Sequence, residues 1–243
     1  VVSNAIHPQT GQPWVFWFVD NTSHSLGTFE SPFPTFLLAQ NASSPYQAIY
    51  VFPGDGSTTG MNSGISLQNG QWLLGASYVQ PIPTTLGLIS VPAMASTAPN
   101  ITNTGGNVVA LTSNNVVSGF TISSGSANTT GIDVSATGSV FVSNCSFTGF
   151  TSINFGGITN FGTISTLYVA NNTFSNNYIG VHNRGHIDTL HVTENVFNSI
   201  AGDQVAGAVS VFDGHTMNVV NVRNNSFINC RNGVNTERGS IGV

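Results

Sequence analysis

Apolar residues recur through the second half of the chain in short segments that alternate with polar turns. Five six-residue segments superimpose without gaps, and each begins with Val and ends with a large apolar residue: 117–122, 142–147, 169–174, 192–197 and 222–227. The last residues, Ile122, Phe147, Phe174, Phe197 and Phe227, are spaced 25, 27, 23 and 30 residues apart. Repeats of this length are typical of solenoids, in which each unit buries its apolar face against its neighbours. We therefore expect these five residues to be structural anchors that stack inside successive coils.

Each repeat contains two further short apolar segments. One follows the anchor, at 132–134, 153–155, 179–181, 209–211 and 233–234, and another precedes the later four anchors, at 139–140, 166–167, 189–190 and 219–220. Three short strands per repeat predict a three-faced solenoid, because parallel strands stacked about 4.8 Å apart pair their backbone groups with the next coil. The predicted fold class is therefore all-β, a single-stranded parallel β-helix of about seven coils.

Polar residues also align between the repeats. The residue three positions before each anchor is Gly119, Asn144, Asn171, Glu194 or Asn224, and the next residue is Phe120, Cys145, Asn172, Asn195 or Asn225. Asparagine tolerates the left-handed backbone region, and its amide forms hydrogen bonds with a turn and with its copy on the next coil. We therefore interpret four of these residues as structural: Asn144, Asn171, Asn195 and Asn224.

The first 60 residues have a different pattern. A Gly- and Pro-rich stretch at 27–35 leads into an apolar stretch at 36–42, and a strand-like segment follows at 48–55. Pro32 and Pro34 suit the start of a helix, so the pattern predicts a short helix that covers the open edge of the first coil. We expect one β-helix domain over residues 1–243, with the cap and first strands in 1–60 and the coils in 61–243. Prolines in 76–105 interrupt the strand pattern and predict a long loop or a lateral lid over one face.

This arrangement resembles the right-handed parallel β-helix of the pectate-lyase-like superfamily. The resemblance includes the segments at 27–42 and 48–55, because many such proteins open with a Gly/Pro-rich stretch, a capping helix and a first strand that ends in Pro-Gly. The strings at 11–22, 50–57 and 64–75 further resemble the extracellular passenger region of autotransporter-type bacterial outer-membrane proteins, over residues 10–122. The resemblance implies an extracellular domain at the bacterial cell surface.

Charged residues are scarce in this chain. Asp, Glu, Lys and Arg make up 5% of it, lysine is absent, and the formal net charge is −5. Nucleic-acid binding is not expected, because there is no basic surface to neutralise phosphates. Membrane insertion is not expected either, because no apolar run approaches the roughly 18 residues of a membrane-spanning helix.

The few charged residues concentrate near the C-terminus, where all four arginines and four of the six histidines lie between His182 and Arg238. Aligning the coils on Val181, Val211 and Val234 predicts one turn patch that contains His182, Arg184, His186, Asp213, His215 and Arg238. This patch resembles in kind the acid and base clusters of polysaccharide-cleaving β-helices, with Asp213, Glu237, Arg184 and His215 as the candidate catalytic residues. The stronger interpretation is that these are solvated charges in exposed turns, so no catalytic residue is assigned.

No metal and no cofactor are expected. His182, His186 and His215 are the best candidates for zinc ligands, but the spacing of ligands on a loop is uninformative by itself. The sequence contains no tight cluster of Asp and Glu that supplies the oxygen ligands of a hard cation. Cys145 and Cys230 lie three coils apart, roughly 14 Å by the strand spacing, which exceeds the ~7 Å limit between the Cα atoms of a disulfide. We therefore expect two free thiols and no disulfide.

The aromatic run Trp14-Val-Phe-Trp-Phe18 has two interpretations. Its rings are suited to a platform on which a sugar stacks, as aromatic faces in binding sites do. Its alternation instead favours an N-terminal strand that packs against the cap, and this is the stronger prediction.

Three functions fit the sequence. The leading hypothesis is a non-enzymatic surface passenger, a rigid adhesin-like rod whose partner is a host or cell-surface glycan or protein. The second is a polysaccharide lyase or glycoside hydrolase that uses the 182–238 patch, and the third is a structural spacer that holds a distal domain. Because residues 233–243 still have a coil-like pattern, we also expect the C-terminal end to continue into further coils or another domain, or to pair there.

Overall fold

The computed structural model describes residues 2–24, 26–135, 137–202, 207–211, 216–236 and 240–241. These residues form a nearly all-β parallel solenoid of about seven turns, as the repeats predict. The helix α1 (Phe36–Ala42) lies in the N-terminal cap. The strands before the repeats are β1 (Val2–Ile6), β2 (Pro13–Val19), β3 (Ala48–Val51), β4 (Ile65–Ser66), β5 (Trp72–Gly75), β6 (Gln80–Thr84), β7 (Gly87–Val91), β8 (Asn100–Ile101) and β9 (Val109–Leu111).

The repeats contribute the remaining strands, which are shorter on two faces than on the third. They are β10 (Val116–Ser118), β11 (Thr121–Ser123), β12 (Ile132–Val134), β13 (Ser139–Ser143), β14 (Ser146–Thr148), β15 (Ile158–Asn160), β16 (Thr163–Ala170), β17 (Thr173–Ser175), β18 (Val181–Asn183), β19 (His186–Thr193), β20 (Val196–Asn198), β21 (Val209–Val211), β22 (Thr216–Arg223), β23 (Ser226–Ile228), β24 (Val234–Thr236) and β25 (Ser240–Ile241).

Apart from β6 and β7, which pair with each other, the strands form three sheets, one for each face of the solenoid. The long sheet has ten strands in the order β1-β2-β3-β5-β10-β13-β16-β19-β22-β25. The anchor sheet has six strands, β8-β11-β14-β17-β20-β23, and the third sheet has seven, β4-β9-β12-β15-β18-β21-β24. Apart from β1, which pairs with β2 in antiparallel fashion, the neighbouring strands of these sheets are parallel, as successive turns of one solenoid require.

The register of the anchors agrees with the aligned sequence segments. Ile122, Phe147, Phe174, Phe197 and Phe227 pair in order across the anchor sheet. Val117, Val142, Val169, Val192 and Val222 pair in order across the long sheet. Each six-residue segment therefore spans a corner of the solenoid, with its first residue in one sheet and its last in another.

The corner itself needs a left-handed backbone. The residue three positions before each anchor has positive φ: Gly119 (88°), Asn144 (54°), Asn171 (57°), Glu194 (59°) and Asn224 (55°). Glycine and asparagine adopt this region most readily, which explains the residue types in this column. Asn144, Asn171 and Asn224 thus hold the bend between two sheets.

The next column forms an asparagine ladder of Asn172, Asn195 and Asn225. The Oδ1 atoms of these residues accept hydrogen bonds from the backbone N–H groups of Cys145, Asn172 and Asn195, each at 2.9 Å. The Nδ2 atoms donate to the carbonyl oxygens of Val142, Val169 and Val192, at 3.0, 2.9 and 2.7 Å. The ladder therefore satisfies backbone groups at the corners that the sheets leave unpaired, as buried polar groups require.

The anchor side chains form a continuous aromatic stack. Phe174 lies between Phe147 and Phe197 with ring centroids 4.8 Å apart on both sides, and Phe197 lies 5.3 Å from Phe227. Glycines before the strands of the third sheet make room for these rings: a Cβ at Gly157 would lie 2.8 Å from the Phe174 ring, and one at Gly180 would lie 2.6 Å from the Phe197 ring. The stack and the glycines together set how closely two faces approach.

The predicted positions of two strands in the third sheet are wrong. Ile132 pairs with Ile158, not with a residue of 153–155, and Ile158 pairs with Val181. Strand β18 therefore begins at Val181 and not at Ile179. For β18 the shift is two residues, which keeps the apolar positions inward because side chains on a strand alternate with a period of two. The segment 153–155 instead lies in the turn before β15, where Ile153 is exposed.

The helix α1 covers the solenoid interior at its N-terminal end, as predicted. The Thr35 hydroxyl caps it by accepting a hydrogen bond from the Leu38 N–H at 3.3 Å. Phe36 and Ala39 are buried in the main core, whereas Leu37 and Leu38 are exposed. The cap therefore presents one apolar side to the first coils.

A second apolar cluster lies outside the solenoid interior, on the outer face of the first strands of the long sheet. Trp14, Phe16 and Phe18 on alternate positions of β2 pack there with Tyr50 and with Ile82 of β6. The run at 14–18 is thus core, and it is not an exposed platform for sugars. The proline-rich region forms the antiparallel hairpin β6–β7, whose first strand covers this cluster.

Candidate functional site

One outward column of the long sheet is rich in aromatic side chains. In register along strands β5, β10, β13, β16, β19 and β22 it contains Trp72, Val116, Phe141, Tyr168, His191 and Asn221. These residues directly precede Leu73 and the inward valines, so the alternation of a strand turns their side chains outward. Phe141 accordingly stays 42% exposed between the buried Val140 and Val142.

Phe141, Tyr168 and His191 form what we call the aromatic ladder. The centroids of Phe141 and Tyr168 are 4.3 Å apart with planes at 5°, and those of Tyr168 and His191 are 4.6 Å apart with planes at 3°. The residues two positions away share the same face and are mostly hydroxyl-bearing: Ser139, Ser143, Thr166, Ala170, Thr189 and Thr193. The face thus combines flat apolar rings with small polar side chains.

A groove lies where the ladder ends, which we call the Val116 groove. It consists of a cavity of about 420 Å³ and a neighbouring cavity of about 330 Å³, which share four lining residues: Trp72, Pro83, Val116 and Phe141. Strand β6 forms one wall, and the Trp14 indole N–H holds that wall by donating to the Pro83 carbonyl oxygen at 2.8 Å. The groove therefore has walls from two parts of the fold that are far apart in sequence.

Among the described residues, the lining of the groove carries no Asp, Glu, Lys or Arg side chain. Its polar groups include Ser118, Ser143 and Asn144, and the Asn144 Nδ2 donates to the Ser118 Oγ at 3.3 Å. His7 lines the second cavity, and burial lowers the pKa of this imidazole below its usual range. At neutral pH the groove is thus uncharged, with a few hydrogen-bonding groups along an apolar lining, as ligand pockets commonly are.

His7, which lines the second cavity, makes the stability of the fold depend on pH, and this gives a first prediction. Its Nδ1 accepts a hydrogen bond from the Gln9 N–H at 3.1 Å, and its ring lies 4.3 Å from Trp14. Because its pKa is lower in the folded chain, the unfolded chain takes up a proton first, and stability falls as the pH drops through about 6.5 toward the lower folded pKa. We expect the melting temperature of the wild type to fall more between pH 7 and 5 than that of His7→Asn. Equal slopes for the two proteins would contradict this prediction.

Three residues of the predicted turn patch lie in the described ranges. His182 is buried on β18, where it pairs with Thr159 and Ser210, whereas His186 lies on the long sheet. Arg184 lies between them, and its Nη1 donates to the Asn154 carbonyl oxygen at 3.2 Å. Asp213, His215, Glu237 and Arg238 lie outside the described residues.

The alignment that produced the patch is wrong. It placed Val211 opposite Val181, but the residue opposite Val181 is Val209, and Val209 in turn pairs with Val234. His182 is therefore level with Ser210 and Asn235, not with Phe212. Both alignments keep a valine facing inward, so the hydrophobic pattern does not distinguish them.

A polar cluster that the sequence interpretation missed lies on the long sheet around His186. The His186 Nε2 lies 2.7 Å from the Asp188 Oδ1, its Nδ1 contacts the Thr216 hydroxyl, and the Asn218 Nδ2 donates to the same Asp188 oxygen at 3.0 Å. The sequence feature that indicates this cluster is the i, i+2 spacing of His186 and Asp188, which puts both side chains on one face of a strand. Because both ring nitrogens are engaged, this imidazole is held in place and has no nitrogen left to bind a metal.

Neither the metal nor the thiol candidates form a site in the described part of the chain. No three His, Cys, Asp or Glu side chains come together there to hold a metal ion. Cys145 is buried, which raises the pKa of its thiol to about 12, so the sulfur stays protonated. Its Sγ donates to the Ser143 carbonyl oxygen at 3.1 Å, and Cys230 is a half-buried free thiol.

No helix in the described ranges is long and apolar enough to cross a lipid bilayer. In comparisons with known proteins, the chain matches no protein-family model, no curated protein and no solved structure.

Proposed function

We propose that this solenoid is a non-enzymatic attachment rod on a bacterial cell surface, which binds a neutral glycan through the outer face of its long sheet. The pectate-lyase-like and autotransporter-like features of residues 10–122 support a surface location. The parallel solenoid of about seven turns supports a stiff body, because each coil is paired with its neighbours along the axis.

The observation that carries the proposal is the aromatic ladder beside the Val116 groove. Aromatic side chains give a large apolar contact with little loss of conformational entropy, and the C–H faces of sugars pack against such rings. The neighbouring serine and threonine hydroxyls supply partners for sugar hydroxyl groups. Since the described lining residues carry no formal charge, a neutral glycan fits the groove better than an acidic one.

Binding to a panel of neutral and acidic polysaccharides tests this function. We expect the wild type to retain at least one neutral polysaccharide, and the double variant Phe141→Ala/Tyr168→Ala to bind it about tenfold or more weakly. Phe161→Ala is the matched control, because Phe161 is an exposed aromatic residue that follows the third-sheet strand β15. Absence of binding by the wild type, or equal losses in both variants, would overturn the proposal.

The same samples distinguish the enzymatic alternative. A lyase or hydrolase would release unsaturated or reducing ends from the retained polysaccharide, whereas a binding rod leaves the polymer intact. The surface location is tested by protease treatment of intact source cells, with a periplasmic protein as the protected control. Loss of the domain is the expected result, and full protection would contradict surface display.

A further inference from the structure

We propose that the gap above Val116 is a binding slot for one neutral sugar ring, which stacks between Trp72 and Phe141. This inference rests on the proposed glycan-binding function and specifies the position and class of one bound residue. The column of outward side chains reads Trp72, Val116, Phe141, Tyr168, His191, so a small aliphatic residue interrupts a run of rings.

The spacing of the ladder predicts a gap with the thickness of one ring. Tyr168 occupies the space between Phe141 and His191, with centroid separations of 4.3 and 4.6 Å to the two rings. Trp72 and Phe141 are separated by the same two strand spacings, roughly 9.6 Å along the sheet. Between them the outward column carries the small side chain of Val116, so the position of the middle ring is open to a ligand.

The gap is a shaped cavity and not an open notch. Val116 lies on the floor of the cavity of about 420 Å³, and Pro81 and Pro83 of β6 line it from the side. Two hydrogen bonds fix this wall to the body of the solenoid. The Trp14 indole N–H donates to Pro83 at 2.8 Å, and the buried Gln80 Nε2 donates to the Gly75 carbonyl oxygen at 2.9 Å.

The chemistry of the lining selects an uncharged ring with hydroxyl groups. Trp72, Phe141 and the prolines present apolar surface to the ring faces and edges, and aromatic faces pack well against C–H groups. Ser118, Ser143 and Asn144 also line the cavity and provide hydroxyl and amide groups. A uronic acid would leave its carboxylate without a cationic partner, because no Lys or Arg of the described ranges lines either cavity.

The groove is large enough to hold more than one sugar ring. The second cavity, of about 330 Å³, shares Val116 and Phe141 with the first and continues toward Asn114 and Ser139. A glycan chain therefore has room for a neighbouring residue after one ring enters the slot. The ligand class is accordingly a neutral oligosaccharide with a pyranose ring held over Val116.

Filling the slot with a protein ring tests the inference. In Val116→Phe the new side chain completes the run of rings and takes the place of the ligand, so we expect neutral gluco-, manno- or galacto-oligosaccharides to bind about tenfold or more weakly. The matched control is Val219→Phe, since Val219 is 47% exposed on β22 of the same sheet and does not line the groove. Val116→Ala keeps the slot open and is expected to bind as the wild type does.

The outcomes separate this inference from the proposed function. If the wild type binds a neutral oligosaccharide and Val116→Phe binds it equally well, the slot is wrong while the attachment function stands. If the Phe141→Ala/Tyr168→Ala variant also binds normally, the long-sheet face is wrong as well. Preference for oligogalacturonate over neutral oligosaccharides would overturn the neutral ligand class, and binding of neither by the wild type would overturn both proposals.

Discussion

Phe174→Ala is expected to lower the free energy of unfolding by about 3–5 kcal/mol relative to the wild type. Phe174 is fully buried and lies 4.8 Å from the rings on both sides, so its removal leaves a cavity inside a continuous stack. The neighbouring Gly157 has no side chain with which to fill that space. Urea denaturation followed by circular dichroism measures the difference.

Phe227→Ala is the matched control for this variant, because it removes the same side chain from a less buried place in the stack. Phe227 is 40% exposed and stacks on Phe197 at the longer separation of 5.3 Å. The loss there is expected to be about 1–2 kcal/mol, since less apolar area returns to water. A cost for Phe174→Ala no larger than that for Phe227→Ala would show that the stack does not stabilise the fold as described.

Asn195→Ala is expected to lower the free energy of unfolding by about 3 kcal/mol, because several buried polar groups lose their hydrogen-bond partners together. The Asn195 side chain accepts from the Asn172 N–H and donates to the Val169 carbonyl oxygen, both at 2.9 Å, and it also donates to the Asn225 Oδ1 at 3.0 Å. Water does not reach these groups easily, since Asn195 is buried. The same urea titration gives the change in free energy.

Asn218→Ala is the matched control on the long sheet. Its exposed side chain donates one hydrogen bond to the exposed Asp188, so its removal is expected to change stability by less than about 0.5 kcal/mol. Similar changes in the free energy of unfolding for the two alanine variants would mean that water replaces the hydrogen bonds of the asparagine ladder. A large cost for Asn195→Ala alone supports its structural assignment.

The sequence was sufficient to predict those parts of the fold that repeat with an unambiguous marker. The anchors and the corner residues carried such markers, an aromatic or Ile at one position and Gly, Asn or Glu at another, and their register is correct. The third sheet had only alternating apolar residues, for which a shift of two is invisible. The glycines at 131, 157, 180 and 233 directly precede four of its strands and mark their register, because they face the phenylalanine stack, whereas β21 follows Ala208 and carries no such marker.

The candidate site was harder to predict than the fold for a related reason. Its aromatic ladder is periodic and was readable, since Phe141, Tyr168 and His191 each precede an aligned valine. The groove depends on strand β6, which folds back against residues such as Ser143 that are distant along the chain. No repeat encodes that contact. The clustering of charged residues predicted the patch at 182–238 instead, of which His182 is buried.

The asparagine ladder gives the solenoid a direction that pairing between parallel strands does not. Each asparagine serves the coil before its own: Asn195 bonds the corner of the Asn172 coil, and Asn225 bonds the corner of the Asn195 coil. A coil is thus completed only when its successor is laid down. Growth toward the C-terminus closes each corner in turn, and loss of a coil from that side reopens the corner behind it. Loss of a coil from the N-terminal side leaves every remaining corner closed. The two ends of the rod are therefore expected to differ in how readily their coils unfold.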